Sequence, residues 1–481
     1  MRRQGFGISL GQLPPNHVDQ HAFDLIFRKL SRGLQLDKPL AFALAARIWQ
    51  AASGPITIAL IIWSLTEDEQ GIYYGIIPVI GIQAFFELGL LNVLISQAGH
   101  THTGYLSAKQ SGDRDSLKIA ALRMKQLIDA SRRWFAGASV LFAAMALAIG
   151  WNTFVRSDAS VAWRLPLLVI VPLSAVAVYF SPSLAILEGT GKRELIYRFR
   201  LYQMICGSLA VWLALIADFG IWALVVATGV QAGWAIYLVS FHQADFFRQF
   251  EAQSRGYEEA ISKMTETSAV PHFSWVREVL PKQWRMAVTG AAFHLATQFL
   301  TIILLTFHTA AEAGRLGMTL SITTAIQMLA LAWVQTKYSL ISGLHGQGDR
   351  EEAGTLWRQT ALVSCGLLVT AFTSLAVVIA ILPWFGQGWE TRFIQPWQVA
   401  ILGVGCLANH LVALQACYVL ARNANPLTVA SLIGYLTTAA AVWIGGYYAS
   451  TSGVVVAFAL GIAVVALPLH SWAYVRFRSA T

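Results

Sequence analysis

The sequence predicts an all-α polytopic membrane protein whose twelve transmembrane helices form two six-helix lobes, related by a pseudo-two-fold axis along the membrane normal. Three observations support this prediction. Of the 481 residues, 56% are hydrophobic and only 12% are charged, whereas about a quarter of the residues in a soluble domain are charged. Apolar segments long enough to cross a bilayer as a helix recur along the chain. Features of the first half also return in the second half.

Residues 39–98 predict the first two spans. Two apolar segments, 39–65 and 72–98, are joined by the polar turn TEDEQG, and each segment contains one charged residue, Arg47 or Glu87. The preceding residues, 1–38, are polar except for HAFDLIFRKLSRGL, which places apolar residues on one helical face beside basic ones. Such a segment suits an interfacial helix on an anionic leaflet, with a solvated tail as the alternative.

Ten further spans follow from the apolar pattern, and a polar stretch over 242–284 divides them. We place these spans near 134–152, 165–188, 196–217, 219–241, 285–308, 316–342, 357–383, 394–421, 427–449 and 453–475. The chain thus divides into four parts. They are a cytoplasmic N-terminal segment (1–38), an N-lobe (39–241), a cytoplasmic linker (242–284) and a C-lobe (285–476).

The basic residues predict the orientation. Of the 34 Lys and Arg residues, 29 fall on the side of the two termini, and the opposite connections carry only Arg156, Arg164, Arg315 and Arg392. Positive residues mark cytoplasmic connections, so both termini are expected in the cytoplasm. The net charge of +9 is then an orientation signal, and no nucleic-acid partner is expected. The opposite connections are too short to form an extracytoplasmic domain.

An internal repeat supports the division into six and six spans. The turn TEDEQG at 66–71 has its counterpart in TAAEAG at 309–314. Each turn precedes a long apolar span and then a Gly-Asp-Arg-acidic motif, at 112–115 and at 348–351. LEGTGKRE at 187–194 occupies the place that LARNANPL at 420–427 takes in the second half. Six spans per half leave the halves in the same orientation, as in transporters with parallel repeats.

Several motifs resemble the polysaccharide flippases of the multidrug/oligosaccharidyl-lipid/polysaccharide exporter superfamily. They are the acidic turn before Gly71 with FFELGLLNVLISQA, then LEGTGKRELIYRFRLYQ, and SLISGLHGQGDREEA at 339–353. The resemblance extends from about residue 40 to 475. It implies two lobes around a central cavity that opens alternately to either face of a bacterial cytoplasmic membrane. The proline common near the end of the eighth helix in related proteins is replaced here by Lys337-Tyr338-Ser339.

The same resemblance implies the cargo, an oligosaccharide linked to undecaprenyl diphosphate that moves from the cytoplasmic to the outer leaflet. Other expected partners are membrane lipids, a coupling ion (H⁺ or Na⁺) and further polysaccharide-assembly proteins. Three alternatives stay open: a multidrug or toxin exporter, a membrane polysaccharide polymerase or ligase, and a scaffold without transport activity. No catalytic residue, cofactor or metal site is expected.

Arg47 and Glu87 are the first candidate site residues, because charges inside a span are costly and mark functional positions. A guanidinium suits bidentate binding of a diphosphate, so Arg47 is a candidate anion ligand. The alternatives are an ion pair with Glu87, at a depth that differs by about one helical turn, and snorkelling to the interface. Glu87 is also a candidate proton-coupling site, because burial lets a carboxyl group change its protonation state.

Five more residues are candidate substrate ligands. Lys337 lies near the cytoplasmic end of the eighth span, where it provides a second phosphate contact or snorkels to the interface. The others are polar residues in the first two spans of each half, and these spans line the cavity in the resembling family. Hydrogen bonds between helices explain the same residues without a ligand. They are Asn92, His294, Gln298 and Gln335.

Overall fold

The computed structural model describes residues 38–87, 89–263, 275, 280–422 and 426–479. These residues form helices and short connections, with no strand among them. The predicted interfacial helix within 1–38 lies almost entirely outside the described residues. The fold is therefore an all-α membrane architecture, as the composition predicts.

The N-lobe consists of six spans, followed by a helix on the connection to the second lobe. The second span is divided into three segments, because the backbone turns at Ile82 and at Gly89, which has a positive φ. The spans are α1 (Lys38–Ser64), α2 (Glu67–Gly81, Gln83–Glu87 and Leu90–Ser111), α3 (Arg114–Arg156), α4 (Arg164–Gly189), α5 (Arg193–Ile216) and α6 (Trp222–Ile236, with a π-helical turn Tyr237–His242). The linker helix is Ala244–Lys263.

The C-lobe begins with a span that bends by 48° at one break. Its first four spans are α7 (Leu280–Thr297 and Leu300–Phe307), α8 (Ala310–Gln347), α9 (Arg350–Ile381) and α10 (Pro396–Leu420). The remaining helical residues run from Thr428 to Ser479, but the backbone leaves the helical conformation at Ala449 and Ser450. We therefore name 428–448 α11 and 451–479 α12.

Two glycines show that α11 and α12 fold back on each other as a hairpin. A Cβ atom on Gly453 would lie 1.8 Å from the Gly445 carbonyl oxygen, and one on Gly434 would lie 2.8 Å from the Cα atom of Ala466. This spacing places the two helices antiparallel and in backbone contact. The described residues contain nine apolar helices of membrane-crossing length, or up to eleven spans when each bent pair counts as one. Dividing the last helix at its kink gives the predicted twelve.

Some helices, α3 and α8 among them, extend well beyond their apolar spans. α3 has 43 residues and α8 has 38, where about 20 cross a bilayer. Residues 99–133 are the polar stretch between the second and third predicted spans. They form a helical hairpin made by the end of α2 and the beginning of α3. Gly112 and Gly348 adopt positive φ at the two corresponding turns, and Asp113 and Asp349 then accept hydrogen bonds from the first backbone N–H groups of α3 and α9. The repeated Gly-Asp-Arg-acidic motif is therefore a helix stop followed by a helix start.

The repeated turns meet where the lobes join. A Cβ atom on Gly71 would lie 2.1 Å from the Ala310 carbonyl oxygen, and one on Gly314 would lie 2.9 Å from the Gly71 nitrogen. Gly71 and Gly314 are counterparts in the internal repeat, so equivalent residues of α2 and α8 touch at one point. Such contact is expected where a pseudo-two-fold axis passes between the helices. Glycine permits it because no side chain separates the backbones.

The lobes are joined at this end and open at the other. Hydrogen bonds and an ion pair join the starts of α2 and α8, and Tyr74 packs against Gly317 directly below them. In contrast, the far half of each helix exposes small and polar residues, including Ser96 on α2 and Gly343 on α8. We interpret these exposed small and polar residues as the walls of a cleft between the lobes, on the side that the basic residues predict to be cytoplasmic.

Candidate functional site

Arg47 lies on the side of α1 that faces the cleft. One turn further along α1, Gln50 Nε2 donates a hydrogen bond to Met328 Sδ of α8 at 3.9 Å, across the gap between the lobes. Residues three apart on a helix share a face, so Arg47 and Gln50 point in similar directions. Arg47 is exposed. The orientation of α1 is set by Trp49, whose indole Nε1 donates to Ser208 of α5 at 3.2 Å.

Asn92 lies on the face of α2 that points away from its own lobe. The opposite face packs on α4, where a Cβ atom on Gly189 would lie 3.0 Å from the Ala98 Cβ atom. Asn92 is exposed, and the residues that follow it on the same face are polar and exposed as well. They are Ser96, Thr103 and Ser107. This stripe gives the cleft a row of hydrogen-bonding groups.

Gln335 and Lys337 occupy opposite faces of α8. Gln335 is exposed and lies two turns from Met328, on the stripe that faces the N-lobe. Lys337 is half-buried and lies two turns from Ala330, whose carbonyl oxygen accepts a hydrogen bond from Ser364 of α9. Lys337 is therefore on the α9 side of its helix. Because residues two apart on a helix point in nearly opposite directions, the structure does not bring Lys337 to the cleft beside Gln335.

His294 and Gln298 lie on α7 where the two lobes approach each other. The His294 ring packs edge-on against Phe85 of α2 with the centroids 5.1 Å apart, and against Phe299 at 6.2 Å. Its Nε2 atom is buried without a hydrogen-bond partner among the described residues, and it lies 3.2 Å from where a Gly81 Cβ atom would be. Gln298 follows one turn later, half-buried beside the break in α7.

Glu87 lies in a cavity inside the N-lobe, and it is not paired with Arg47. The cavity has a volume of about 230 Å³ and is enclosed by α2, α4, α5 and α6. Besides Glu87, its polar lining residues are Ser181, Glu188, Arg200, Gln203 and Gln231. The basic residue in the lining is Arg200 of α5. The predicted ion pair between Arg47 and Glu87 is absent from this conformation, because the two side chains lie on different sides of the lobe.

The local sequence pattern does not predict the polar groups around Glu87. Arg200 Nη2 pairs with Glu188 Oε2 at 3.2 Å, and Tyr197 donates to Glu188 Oε1 at 3.0 Å. All three residues belong to the motif LEGTGKRELIYRFRLYQ, which joins α4 to α5. The signal that could have revealed the group is the helical spacing from Tyr197 to Arg200, which puts both on one face of α5.

Further polar contacts lie at the end of the molecule where the starts of α2 and α8 meet, and the local sequence pattern does not predict them either. Arg315 Nη2 pairs with Glu67 Oε2 at 3.0 Å. The backbone N–H of Ala310 donates to Asp158 Oδ1 at 3.0 Å. The Ser450 hydroxyl donates to Glu312 within the C-lobe. The described residues contain no group of three or more His, Cys, Asp or Glu side chains that could hold a metal ion.

No family model and no curated protein matches this chain, but solved structures share its fold. One is described as the inward-facing conformation of a multidrug resistance MATE family transporter of the MOP superfamily. It matches with a TM-score of 0.53 and 11% identity over 87% of this chain and 95% of that one. Another, lipid II flippase MurJ in an inward closed conformation, matches with a TM-score of 0.54 and 10% identity over 92% of this chain and 88% of that one.

These similarities confirm the two-lobed fold that the sequence resemblance implies. One of the two solved structures is named as a drug-resistance transporter and the other as a lipid flippase, and their TM-scores differ by only 0.01. The fold therefore does not distinguish between the two kinds of cargo.

Proposed function

We propose that this protein flips a lipid-linked oligosaccharide, carried on undecaprenyl diphosphate, from the cytoplasmic to the outer leaflet for surface or exopolysaccharide synthesis. The observation that supports this proposal is the charge of the cleft. The stripes that contain Arg47 on α1, Asn92 on α2 and Gln335 on α8 carry no Asp or Glu within the described residues. A cleft with a cation and no carboxylate favours an anionic cargo.

Arg47 is the proposed ligand for the diphosphate. An arginine in a membrane-spanning helix is costly unless it reaches water or a partner, and the open cleft supplies water. The planar guanidinium forms paired hydrogen bonds with phosphate oxygens. Its N-terminal position on α1 puts it near the open side of the cleft. The headgroup would therefore meet the cation early as it enters from the predicted cytoplasmic side.

Asn92 and Gln335 are the proposed ligands for the sugar. They face the same cleft from opposite lobes, and their amide groups both donate and accept hydrogen bonds. A saccharide presents many hydroxyl groups, so exposed amides and hydroxyls on both walls fit it well. Transport then requires the lobes to separate where α2 meets α8 and to close at the other end. Such rocking of one bundle against another is the usual form of alternating access.

Glu87 is the proposed coupling residue, with H⁺ or Na⁺ as the ion. Its carboxyl lies in the cavity within the N-lobe beside the Glu188–Arg200 pair, away from the cleft. A change in its charge would act on the packing of α2 against α4, α5 and α6. Because α2 also carries the contact between the lobes, this packing links the cavity to the opening of the cleft.

Export of drugs or toxins is the alternative function, since the same fold occurs in a multidrug resistance transporter. An exporter of organic cations is expected to have carboxylates where the cargo binds. Here the carboxylates of Glu87 and Glu188 open into the N-lobe cavity instead. A membrane polymerase or ligase is less well supported, because the two solved structures compared above are named as a transporter and a flippase.

A leaflet-specific assay on the purified chain in proteoliposomes tests the proposal. The probe is a short fluorescent oligosaccharide on undecaprenyl diphosphate, and ethidium uptake into matched vesicles tests the exporter alternative. Arg47→Ala should slow flipping by tenfold or more, which corresponds to roughly 1.4 kcal/mol, and Arg47→Lys should retain part of the activity. The matched control is Arg133→Ala, which removes an exposed positive charge on α3.

If the wild-type protein moves ethidium but leaves the lipid-linked sugar in its original leaflet, the exporter alternative replaces the flippase. If the sugar is flipped equally well by the wild type and by Arg47→Ala, the assignment of the diphosphate to Arg47 is wrong.

A further inference from the structure

The connection between α9 and α10 presents three large aromatic side chains, which we call the aromatic tip: Trp384, Phe385 and Trp389. The connection consists of two single-turn 3₁₀ helices, Leu382–Phe385 and Trp389–Arg392, joined by a short Gly-Gln-Gly turn. The three side chains are 85%, 62% and 44% exposed. None of them belongs to the cleft or to the N-lobe cavity. Aromatic side chains carry a large apolar area, so three uncovered ones in one short turn indicate a partner outside the chain.

Hydrogen bonds give the aromatic tip a fixed shape. Gly386 and Gly388 both adopt positive φ, which permits the tight turn between the two 3₁₀ helices. The Thr391 hydroxyl donates to the Gly388 carbonyl oxygen at 2.9 Å. At the base of the connection Ile394 is buried, and its backbone N–H donates to the Thr319 hydroxyl of α8 at 3.4 Å. The connection therefore holds the aromatic side chains in place against the C-lobe.

The aromatic tip lies at the level of the bilayer surface. The predicted apolar spans of α9 and α10 end at residue 383 and begin at residue 394, so the connection lies where both spans leave the hydrocarbon layer. It belongs to the end at which the lobes join, because Arg392 binds Gln70 of α2 there. The basic residues predict that this end faces the outer leaflet.

The apolar surface of α9 continues into the aromatic tip. Only 17% of the residues in the most apolar window of this span are buried inside the protein, so most of the helix faces lipid. Val377 and Val378 are exposed and lie within two turns of Trp384. No charged residue occurs between Arg358 and Glu390. Because the lipid-facing surface and the tip form one uncharged apolar strip, the bilayer is the partner that suits the tip.

We propose that the aromatic tip inserts into the interface of the leaflet at the joined end of the lobes. Tryptophan favours this region because its ring lies among the first acyl carbons while its indole N–H binds a headgroup. The base of the same connection carries Arg392, which binds Gln70. One short segment thus contacts both the bilayer and the junction of the lobes. Insertion of the tip does not depend on the cargo.

A benzophenone amino acid at position 384 identifies what covers the tip. It is aromatic and apolar, so it replaces the indole without removing the anchor. The full chain is irradiated in native membranes and in nanodiscs of phosphatidylethanolamine and phosphatidylglycerol, and mass spectrometry identifies the adducts. We expect phospholipid adducts in both. The comparison position is 160, because Ser160 is an exposed polar residue on the connection between α3 and α4 at the same end. It should give few lipid adducts.

The double variant Phe385→Ser with Trp389→Ser tests whether the aromatic residues insert together. Both side chains are exposed, so the fold should tolerate their loss. The yield of phospholipid adduct from position 384 should fall at least about threefold, because the tip loses two of its interfacial anchors. Phe241→Ser is the matched control, since it removes an aromatic side chain that is 73% exposed, at the opposite end of α6. Its adduct yield should be unchanged.

A protein adduct at position 384 in native membranes, without a lipid adduct in nanodiscs, would show that a partner protein covers the tip. Equal lipid labelling at positions 384 and 160 would also reject the proposal, because the tip would then lie no deeper than a polar loop. So would an unchanged yield in the double variant, or an equal loss in Phe241→Ser. None of these outcomes depends on transport, so a flippase assay can fail while the tip still inserts.

Discussion

Gln70 and Arg392 bind each other across the lobe boundary, although 322 residues separate them in the chain. Gln70 Nε2 donates to the Arg392 carbonyl oxygen at 3.1 Å, and Arg392 Nη1 donates to Gln70 Oε1 at 3.3 Å. The same Gln70 amide nitrogen donates to the Gly314 carbonyl oxygen at 2.9 Å. One side chain, only 1% exposed, thus joins the start of α2 to the start of α8 and to the connection before α10.

Gln70→Leu should open this end of the molecule. The substitution removes these three hydrogen bonds and the contact of Gln70 Nε2 with Met318 Sδ at 3.9 Å, and each lost hydrogen bond costs about 0.5–1.5 kcal/mol. Only the conformation with the lobes joined here loses these bonds, so the equilibrium should shift toward separation by at least tenfold. Distances between spin labels on the two lobes, measured by pulsed electron resonance, would report the shift.

Gln398→Leu is the control for this shift. Gln398 is also buried, but its amide donates to Ser452 within the C-lobe, at 2.9 Å. Its removal should lower stability without changing the distance between the lobes. Equal distance distributions for Gln70→Leu and the wild type would mean that the amide does not hold the lobes together.

The ion pair between Glu67 and Arg315 should contribute less than Gln70. The two side chains are 35% and 39% exposed, and exposed ion pairs contribute about 0–1 kcal/mol. Glu67→Lys places a cation opposite Arg315, so it should favour separated lobes by a few-fold. The double variant Glu67→Lys with Arg315→Glu should restore the wild-type distance distribution in the same spin-label experiment. A double variant that stays as open as the single one would show that the charges do not interact.

Much of the fold follows from the sequence because hydropathy and turn motifs are local properties. The twelve spans, the repeat and its polar turns are encoded within windows of about 20 residues. The breaks of α2 are not encoded in this way. A glycine in an apolar span does not by itself predict a break, and the positive φ of Gly89 is a property of the folded backbone. The end of a span and the end of a helix also differ, so hydropathy alone does not predict that residues 99–133 are helical.

Local sequence predicts only part of the geometry of the candidate site. Depth along a span identifies Arg47, Asn92 and Gln335 as unusual, but it does not give the rotation of the helix about its axis. That rotation is fixed by packing, and it turns Lys337 toward α9 and Glu87 into the N-lobe. Pairs such as Gln70 with Arg392 join residues from opposite halves of the chain, and no local pattern predicts them.

Gly71→Ala should prevent the lobes from joining fully. An added Cβ atom would lie 2.1 Å from the Ala310 carbonyl oxygen, and a backbone atom cannot move aside as a flexible side chain can. The helices α2 and α8 must therefore separate, and transport that needs this end to close should fall strongly.

Gly343→Ala is the control, since nothing lies within 4 Å of its Cβ position on the open half of α8. Crosslinking of cysteine pairs placed at the starts of α2 and α8 would measure the separation, and unchanged crosslinking would contradict the prediction.

Glu87→Gln should separate coupling from cargo binding. The amide has nearly the same shape as the carboxyl group, so the N-lobe cavity should keep its packing, but the side chain can no longer gain or lose a proton. We expect a pH gradient or a Na⁺ gradient to accelerate transport in the wild-type protein and to lose this effect in Glu87→Gln, because the cavity then holds no titratable group on α2. Transport without a gradient should be changed by less than about twofold, since Glu87 does not face the cleft where the cargo would bind.

Gradient-driven transport in proteoliposomes measures both quantities, and Glu194→Gln is the matched control, because Glu194 is an exposed acidic residue at the start of α5. A Glu87→Gln protein that still responds fully to the gradient would place the coupling elsewhere, and one that loses the gradient response together with binding of the cargo would place Glu87 at the cargo site instead.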